Sequence, residues 1–376
     1  MSLGRKQLVR RRRFATLCVL GLAIAASGLP TAADEEDRQE SPKQLAGKRV
    51  YENRLERIEH PEPLLADNPE FVLPIRDDHR FKSPPLVNDA DADLEVRAWR
   101  YSYNARSYIE IPNYLSLAKT AVIVVHPWGL EDGQGWRMPQ PAGFVFGSPE
   151  MLKSAGKQLR TAIAPFVNSL RGKASLVMYS LPGKADPMRK QMYRSFDHRP
   201  GAEERRRGAA ALDALLKSFQ YDDRREIPRE LTVSTETPVV DYFSQFPGGD
   251  PGDGYNGPGY WSLPIPVHKE LDAQPDDVVI FDGEGYKPLR EFLKRNGIRH
   301  VLLLGFATDM CVCSTTAGYE NLRNDFNVFL IGDLTQATSQ GNESPACNTT
   351  AALSFASLKV LITQVSWIKQ LDKKRP

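Results

Sequence analysis

VLLLGFATDMCVCSTTAG, Val301 to Gly318, is the stretch on which the fold turns. An apolar run of strand length reaches Gly305, and six residues later stands Cys311, where helical spacing begins. A run apolar at successive positions, with no polar alternation, marks a strand covered on both faces, as strands of parallel sheets are. The stretch therefore places a cysteine just past the carboxyl end of a buried strand.

Working outward, the same signature recurs at 121–125 (AVIVV), 175–180 (SLVMYS), 277–281 (DVVIF), 327–332 (NVFLIG) and 359–363 (KVLIT). Segments of helical spacing separate these runs: SPEMLKSAGKQLRTAIAPFVNSL with an N-cap at Ser148, YKPLREFLKRNG ending at Gly297, TDMCVCSTTAGYENLRN, and SPACNTTAALSFASL. Alternating strands and helices predict an α/β fold, a doubly wound and mainly parallel sheet with helices on both faces. Upstream, Leu94 to Ile111 alternates with period two about a turn at Asn104, which predicts a β-hairpin within 94–118 added to the main domain. The main domain is read over 119–370, with an enlarged insertion at 184–262. That insertion holds an Arg-rich helix, EERRRGAAALDALLKSF, and a Gly/Pro-rich loop too long to be only a connection, a candidate cover for a binding site.

The N-terminus belongs to another class of sequence. RKQLVRRRRF is basic, LCVLGLAIAASGL has the length of a signal h-region, and TAA precedes Asp34, so residues 1–33 read as an export signal. Arg11, Arg12 and Phe14 resemble the twin-arginine variety. A periplasmic or extracellular location follows, with no membrane span left after cleavage. Residues 34–93 read as a charged, then Pro-rich, tether that runs over the surface. Lys plus Arg number 49 against 47 for Asp plus Glu, and a net charge of +2 supplies no field to gather nucleic acid or an anionic membrane. Without the signal's Cys18, three cysteines remain, Cys311, Cys313 and Cys347, so at least one thiol stays free. Cys313 and Cys347 are the pair able to bridge. No CxxC pair or His cluster with metal spacing occurs, and neither a metal nor a cofactor is expected.

GFATDMCV, Gly305 to Val312, resembles the cysteine motif of the isochorismatase-like hydrolases, the superfamily of nicotinamidases and N-carbamoyl amide hydrolases. TAVIVV, HKELDAQPDDVVI, NGIRHVLLLG and VFLIGDLTQATS support the resemblance over about residues 119–366. It implies a three-layer sheet with a cleft at the carboxyl ends of the strands and hydrolysis of a small-molecule amide or related bond. It further implies a cis peptide between Phe306 and Ala307, and an oxyanion hole formed by the amides of Ala307 and Cys311. Members of that family commonly assemble, so a homo-oligomer is compatible with the sequence, which does not itself read the oligomeric state. The family's Asp at the end of the first strand and Lys at the end of the third are both absent. His126 and Asp282 stand at the corresponding positions.

Those replacements are the residue types that rebuild a cysteine triad. A thiol at a helix start feels the positive end of the helix dipole, which favours its thiolate. Imidazole, with an ordinary pKa of about 6.5, suits the task of taking the thiol proton, and a carboxylate fixes its tautomer. Strands one and four lie side by side at the switch point of such a sheet, so His126 is expected to face Cys311, with Asp282 arriving from the neighbouring side. Trp128, Trp136, Tyr260 and Trp261 are candidate pocket walls for a small-molecule substrate. Two classes of function stay open at this point: a cysteine hydrolase with a rewired Cys311, His126 and Asp282 site, toward which the residue types lean, and a member without catalysis that binds a small ligand or a protein partner.

Overall fold

The structure is a computed structural model that describes residues 48–129, 131–134, 149–218, 229–245, 264–338, 344–360 and 362–371. The export signal, the first part of the tether, Ser148, Trp136, Tyr260, Trp261 and the Gly/Pro-rich loop lie outside the described residues. The chain divides into two units, Met1–Val50 and Tyr51–Pro376. In the first only 48–50 are described, and these carry no regular element. The rest of this account concerns the second unit.

Its strands are β1 (Glu56–Arg57), β2 (Arg80–Lys82), β3 (Leu94–Ser102), β4 (Ser107–Leu115), β5 (Thr120–Val125), β6 (Leu176–Leu181), β7 (Val278–Phe281), β8 (His300–Phe306), β9 (Asn327–Gln336) and β10 (Gln364–Gln370). They form one sheet in the order β1-β2-β4-β3-β10-β9-β8-β5-β6-β7. From β10 to β7 every neighbouring pair is parallel. The period-two segment falls on β3 and β4, an antiparallel hairpin joined to the parallel part through β10.

Burial on both faces explains the unbroken apolar runs. In β5, Val122 and Val124 enter one core layer while Ala121, Ile123 and Val125 enter the other. Helices α1 (Pro149–Gln158) and α2 (Ala164–Leu170), joined by a π-helical turn at Leu159–Ile163, cover the first layer with Met151, Ile163 and Val167. Helices α3 (Pro187–Met192) and α4 (Ala202–Ser218) lie on that side too, α4 contributing Leu212 and Leu216. The insertion also contains α5 (Pro238–Gln245). The second layer is covered by α6 (Tyr286–Arg295), α7 (Cys311–Ser314), α8 (Tyr319–Leu322) and α9 (Pro345–Val360). The fold is thus α/β, with a mainly parallel sheet wound on both faces. Gly297 closes α6 with φ of 71°, the left-handed position that favours glycine.

Three local readings differ from the structure. The Pro-rich stretch does not only run over the surface: Leu64, Leu65, Phe71 and Val72 are buried in the two core layers, because two adjacent apolar pairs give it enough hydrophobic area to dock. The last strand starts at Gln364 and not at Lys359, since the Ala- and Leu-rich helix before it continues to Val360 and its helical bonds outweigh the β-branched residues there. The helix after Cys311 breaks into α7 and α8, with Thr315 extended and Gly318 at the start of α8.

Candidate active site

The site is built where the carboxyl ends of β5, β8 and β7 converge. Val125 of β5 pairs with Gly305 of β8. A methyl group on Gly305 would stand 2.2 Å from the Val125 carbonyl oxygen, so only glycine permits this approach. The chain leaving β8 passes through a cis peptide between Phe306 and Ala307 and arrives at Cys311, the first residue of α7. On β5 the next residue after Val125 is His126, whose φ of 47° is left-handed. That conformation costs a non-glycine residue on the order of 1 kcal/mol or more. It is held by His126 N–H donating to the Ser180 carbonyl and Trp128 N–H donating to the His126 carbonyl, both at 2.9 Å.

The turn aims the imidazole at the tip of β7. His126 Nε2 and Asp282 Oδ2 are 2.7 Å apart, and the ring is buried while Asp282 is partly open. Asp282 is fixed from two further sides, by Ser180 Oγ donating to Oδ1 at 3.1 Å and Thr316 Oγ1 donating to its carbonyl at 2.7 Å. The carboxylate therefore reaches across β6 to the ring on β5. Trp128 stacks on the imidazole with centroids 5.4 Å apart. The segment after the insertion holds this turn in place: Gly129 N–H donates to the Pro266 carbonyl and His268 N–H to that of Pro127.

Cys311 acts on the same ring. Burial pushes the imidazole's pKa down, but the charge of Cys311 and hydrogen bonds to Asp282 and Cys311 outweigh it, and His126 is pushed up to about 10. Nε2 is engaged by Asp282, and Nδ1 falls short of full hydrogen-bond geometry with any described residue. Both observations fit a sulfur close to Nδ1 but not aligned on it. The histidine is then a cation at neutral pH. Cys311 is half-buried, whereas the imidazole is buried.

Beside the sulfur, two backbone donors stand unspent. Thr308 N–H donates to Gln336 O, and Met310 and Val312 N–H both donate to Ala307 O, but among the described residues no acceptor faces the N–H of Ala307 or of Cys311. Helix α7 has four residues, so its dipole is smaller than that of the long helix expected, and the cationic ring is the stronger electrostatic partner for sulfur.

Of the residues singled out in the sequence, His126, Asp282, Cys311, Ala307 and Trp128 gather at this one place. Cys313 does not share it: its sulfur is buried, donates to the Thr308 carbonyl at 3.1 Å, and burial raises its pKa to about 11. Cys313 and Cys347 are both free thiols, with no bridge between them. Sequence reasoning passed over Ser180 and Thr316. A polar residue closing the apolar run SLVMYS was the available signal for Ser180; nothing local distinguishes Thr316.

Residues 201–359 match the family described as the isochorismatase domain. The matched segment includes Asp282 and Cys311 and leaves β5 and His126 outside. Among solved structures, a nicotinamidase of Staphylococcus aureus aligns at 12% identity over 66% of this chain and 99% of its own, with a TM-score of 0.31. A pyrazinamidase/nicotinamidase of Streptococcus mutans aligns at 13% identity over 65% and 99%, TM-score 0.33. PnC1 of L. infantum, solved with nicotinate, aligns at 18% identity over 65% and 92%, TM-score 0.31. Likeness at this level says nothing about substrate. No curated protein sequence matches.

Proposed function

From the isochorismatase-superfamily domain that this chain carries, we propose a hydrolase that cleaves a small-molecule amide through Cys311, His126 and Asp282. The observation that supports the reading is the buried His126 ring, 2.7 Å from Asp282 and with its pKa raised by Cys311 and Asp282. His126, held by Asp282 on one ring nitrogen, is placed to exchange a proton with the half-buried Cys311.

In this reading the thiolate attacks the amide carbon and the carbonyl electrons move to oxygen. The N–H groups of Ala307 and Cys311, without other acceptors, receive that oxyanion. Collapse expels the amine, which takes its proton from the imidazolium and leaves a thioester on Cys311. The now neutral imidazole accepts a proton from water, whose oxygen attacks the thioester, and the acid departs as thiolate and imidazolium are restored. Asp282 keeps its hydrogen bond to the ring and stabilises it when it is charged. Trp128, stacked on the imidazole, serves as one wall of the substrate pocket.

The test is a panel of primary amides followed by intact-mass spectrometry and ammonia release. An acyl adduct on Cys311 that accumulates and turns over is expected. Wild-type protein that alkylates no faster at Cys311 than the His126→Ala variant at pH 7, and forms no adduct with any amide, would leave only the binding role.

A further inference from the structure

The sheet has a gap far from the active site. Strand β10 pairs with β3 from Leu94 to Trp99, whereas β3 continues to Ser102 and pairs with β4 over its whole length. On the other side β10 pairs with β9 at Leu330 and Ile331, whereas β9 begins at Asn327 and pairs there with β8. Arg100–Ser102 and Asn327–Phe329 thus lie beyond the start of β10, and among the described residues no strand stands between them. With β10 in place the two strands flanking it are two spacings apart, about 9.6 Å. Where it is missing, the opening is as wide as one strand.

A cavity of about 740 Å³ occupies this opening. Its walls come from both sides of the sheet: Ala98 and Phe329 belong to one core layer, Trp99, Tyr319 and Phe326 to the other. The cavity therefore passes through the plane of the sheet, unlike a hollow lying on one face. Its charged walls are Arg100 and Arg323, and no Asp or Glu lines it. Tyr101 and Tyr103, in edge contact at 5.2 Å, are exposed at its rim.

We infer that this slot between β3 and β9 takes an extended, acidic peptide segment of a partner protein as an added strand ahead of β10. A small rounded ligand would leave the backbone edges of both flanking strands unserved, whereas an extended chain supplies donors and acceptors along both. Exposed strand edges are the usual template for such addition. Arg100, exposed on the cavity wall, and Arg323, whose Nη1 donates to the Val360 carbonyl, favour carboxylate side chains over ammonium ones. Nothing in this assignment depends on the chemistry at Cys311.

The probe is a fluorescently labelled hexapeptide, Glu-Val-Thr-Val-Glu-Val, titrated into the full chain, with hydrogen exchange read by mass spectrometry. Binding is expected to slow exchange over 100–103 and 327–329. N-methylation of alternate peptide amides, replacement of both Glu by Lys, and the exposed-site variant Arg100→Glu are each expected to weaken binding about tenfold or more. N-methylation leaves the protein untouched, so a misfolded variant cannot mimic that result. Equal binding of the methylated and parent probes, protection elsewhere in the chain, or no binding at millimolar probe would overturn the assignment.

Discussion

Two histidine–aspartate pairs sit at opposite ends of the same pair of strands, and their difference shows what makes one of them reactive. At the carboxyl ends, His126 and Asp282 are 2.7 Å apart; at the amino ends, His300 and Asp89 are 2.9 Å apart. Both imidazoles are buried. Burial lowers the pKa of His300, and the charges of Arg299 and Lys119 add to that against the opposing pull of Asp89. Asn327 Nδ2 lies 3.1 Å from its Nδ1, an arrangement that suits a neutral ring accepting at that nitrogen. His126 faces the same burial, but Cys311 supplies the third partner and the ring is raised to about 10. A His–Asp pair is therefore structural or chemical according to what occupies the second nitrogen. Its own hydrogen bond does not decide the matter.

The sharpest way to break the comparison is to remove each ring. His126→Ala should lower amide turnover by about 10²–10⁴, the usual span of a lost general acid and base, and should slow alkylation of Cys311 at pH 7. His300→Ala should leave alkylation rates unchanged and instead destabilise the fold by about 3 kcal/mol, because Asp89 stays buried with Arg299 as its remaining cation. Denaturant midpoints together with iodoacetamide kinetics on the two variants separate these outcomes.

Gly305→Ala comes next, as it attacks the geometry that brings Cys311 to His126. The added methyl meets the Val125 backbone, and a loss of about 2–3 kcal/mol is expected from overpacking, together with slower thiol alkylation.

The pH dependences of the two pairs should run in opposite directions. His126 has a raised pKa, so the stability it contributes is complete below the ordinary imidazole value of about 6.5 and is lost as pH rises through about 10. His300 has a lowered pKa, so its contribution is complete above about 6.5 and is lost as pH falls through its folded value. Urea midpoints across pH 5–10 should show His126→Gln flattening the alkaline limb and His300→Gln the acidic one.

The smallest effect is expected from Ser180→Ala. It removes one hydrogen bond, at 3.1 Å, from a carboxylate that keeps its bond to His126. About 1 kcal/mol, or a several-fold fall in kcat with KM unchanged, is the expected size. A loss as large as that of His126→Ala would mean that Ser180 itself meets the substrate.

Much of this was legible along the chain. Apolar runs without alternation at 121–125, 300–306 and 327–332 fall on parallel strands, and burial on both faces dictates that pattern. His126 and Asp282 were readable because each follows such a run directly, and Cys311 because it opens the helical spacing a few residues past one; strand tips in this architecture open on a common cleft. The Leu64–Val72 docking segment was not legible, since irregular backbone has no period to read. Nor were the short α7 and α8, where Thr315 and Gly318 interrupt a spacing that looked continuous.

The sequence by itself determined the layers, the strands and which side chains end up at the sheet's carboxyl edge, because hydrophobic periodicity is a local property of neighbouring residues. Only the tertiary structure decided that His126 turns left-handed, that Asp282 reaches it across β6, and that the ring's pKa is raised. These depend on contacts between residues 156 positions apart and on the balance of burial against charge, quantities that no local pattern encodes.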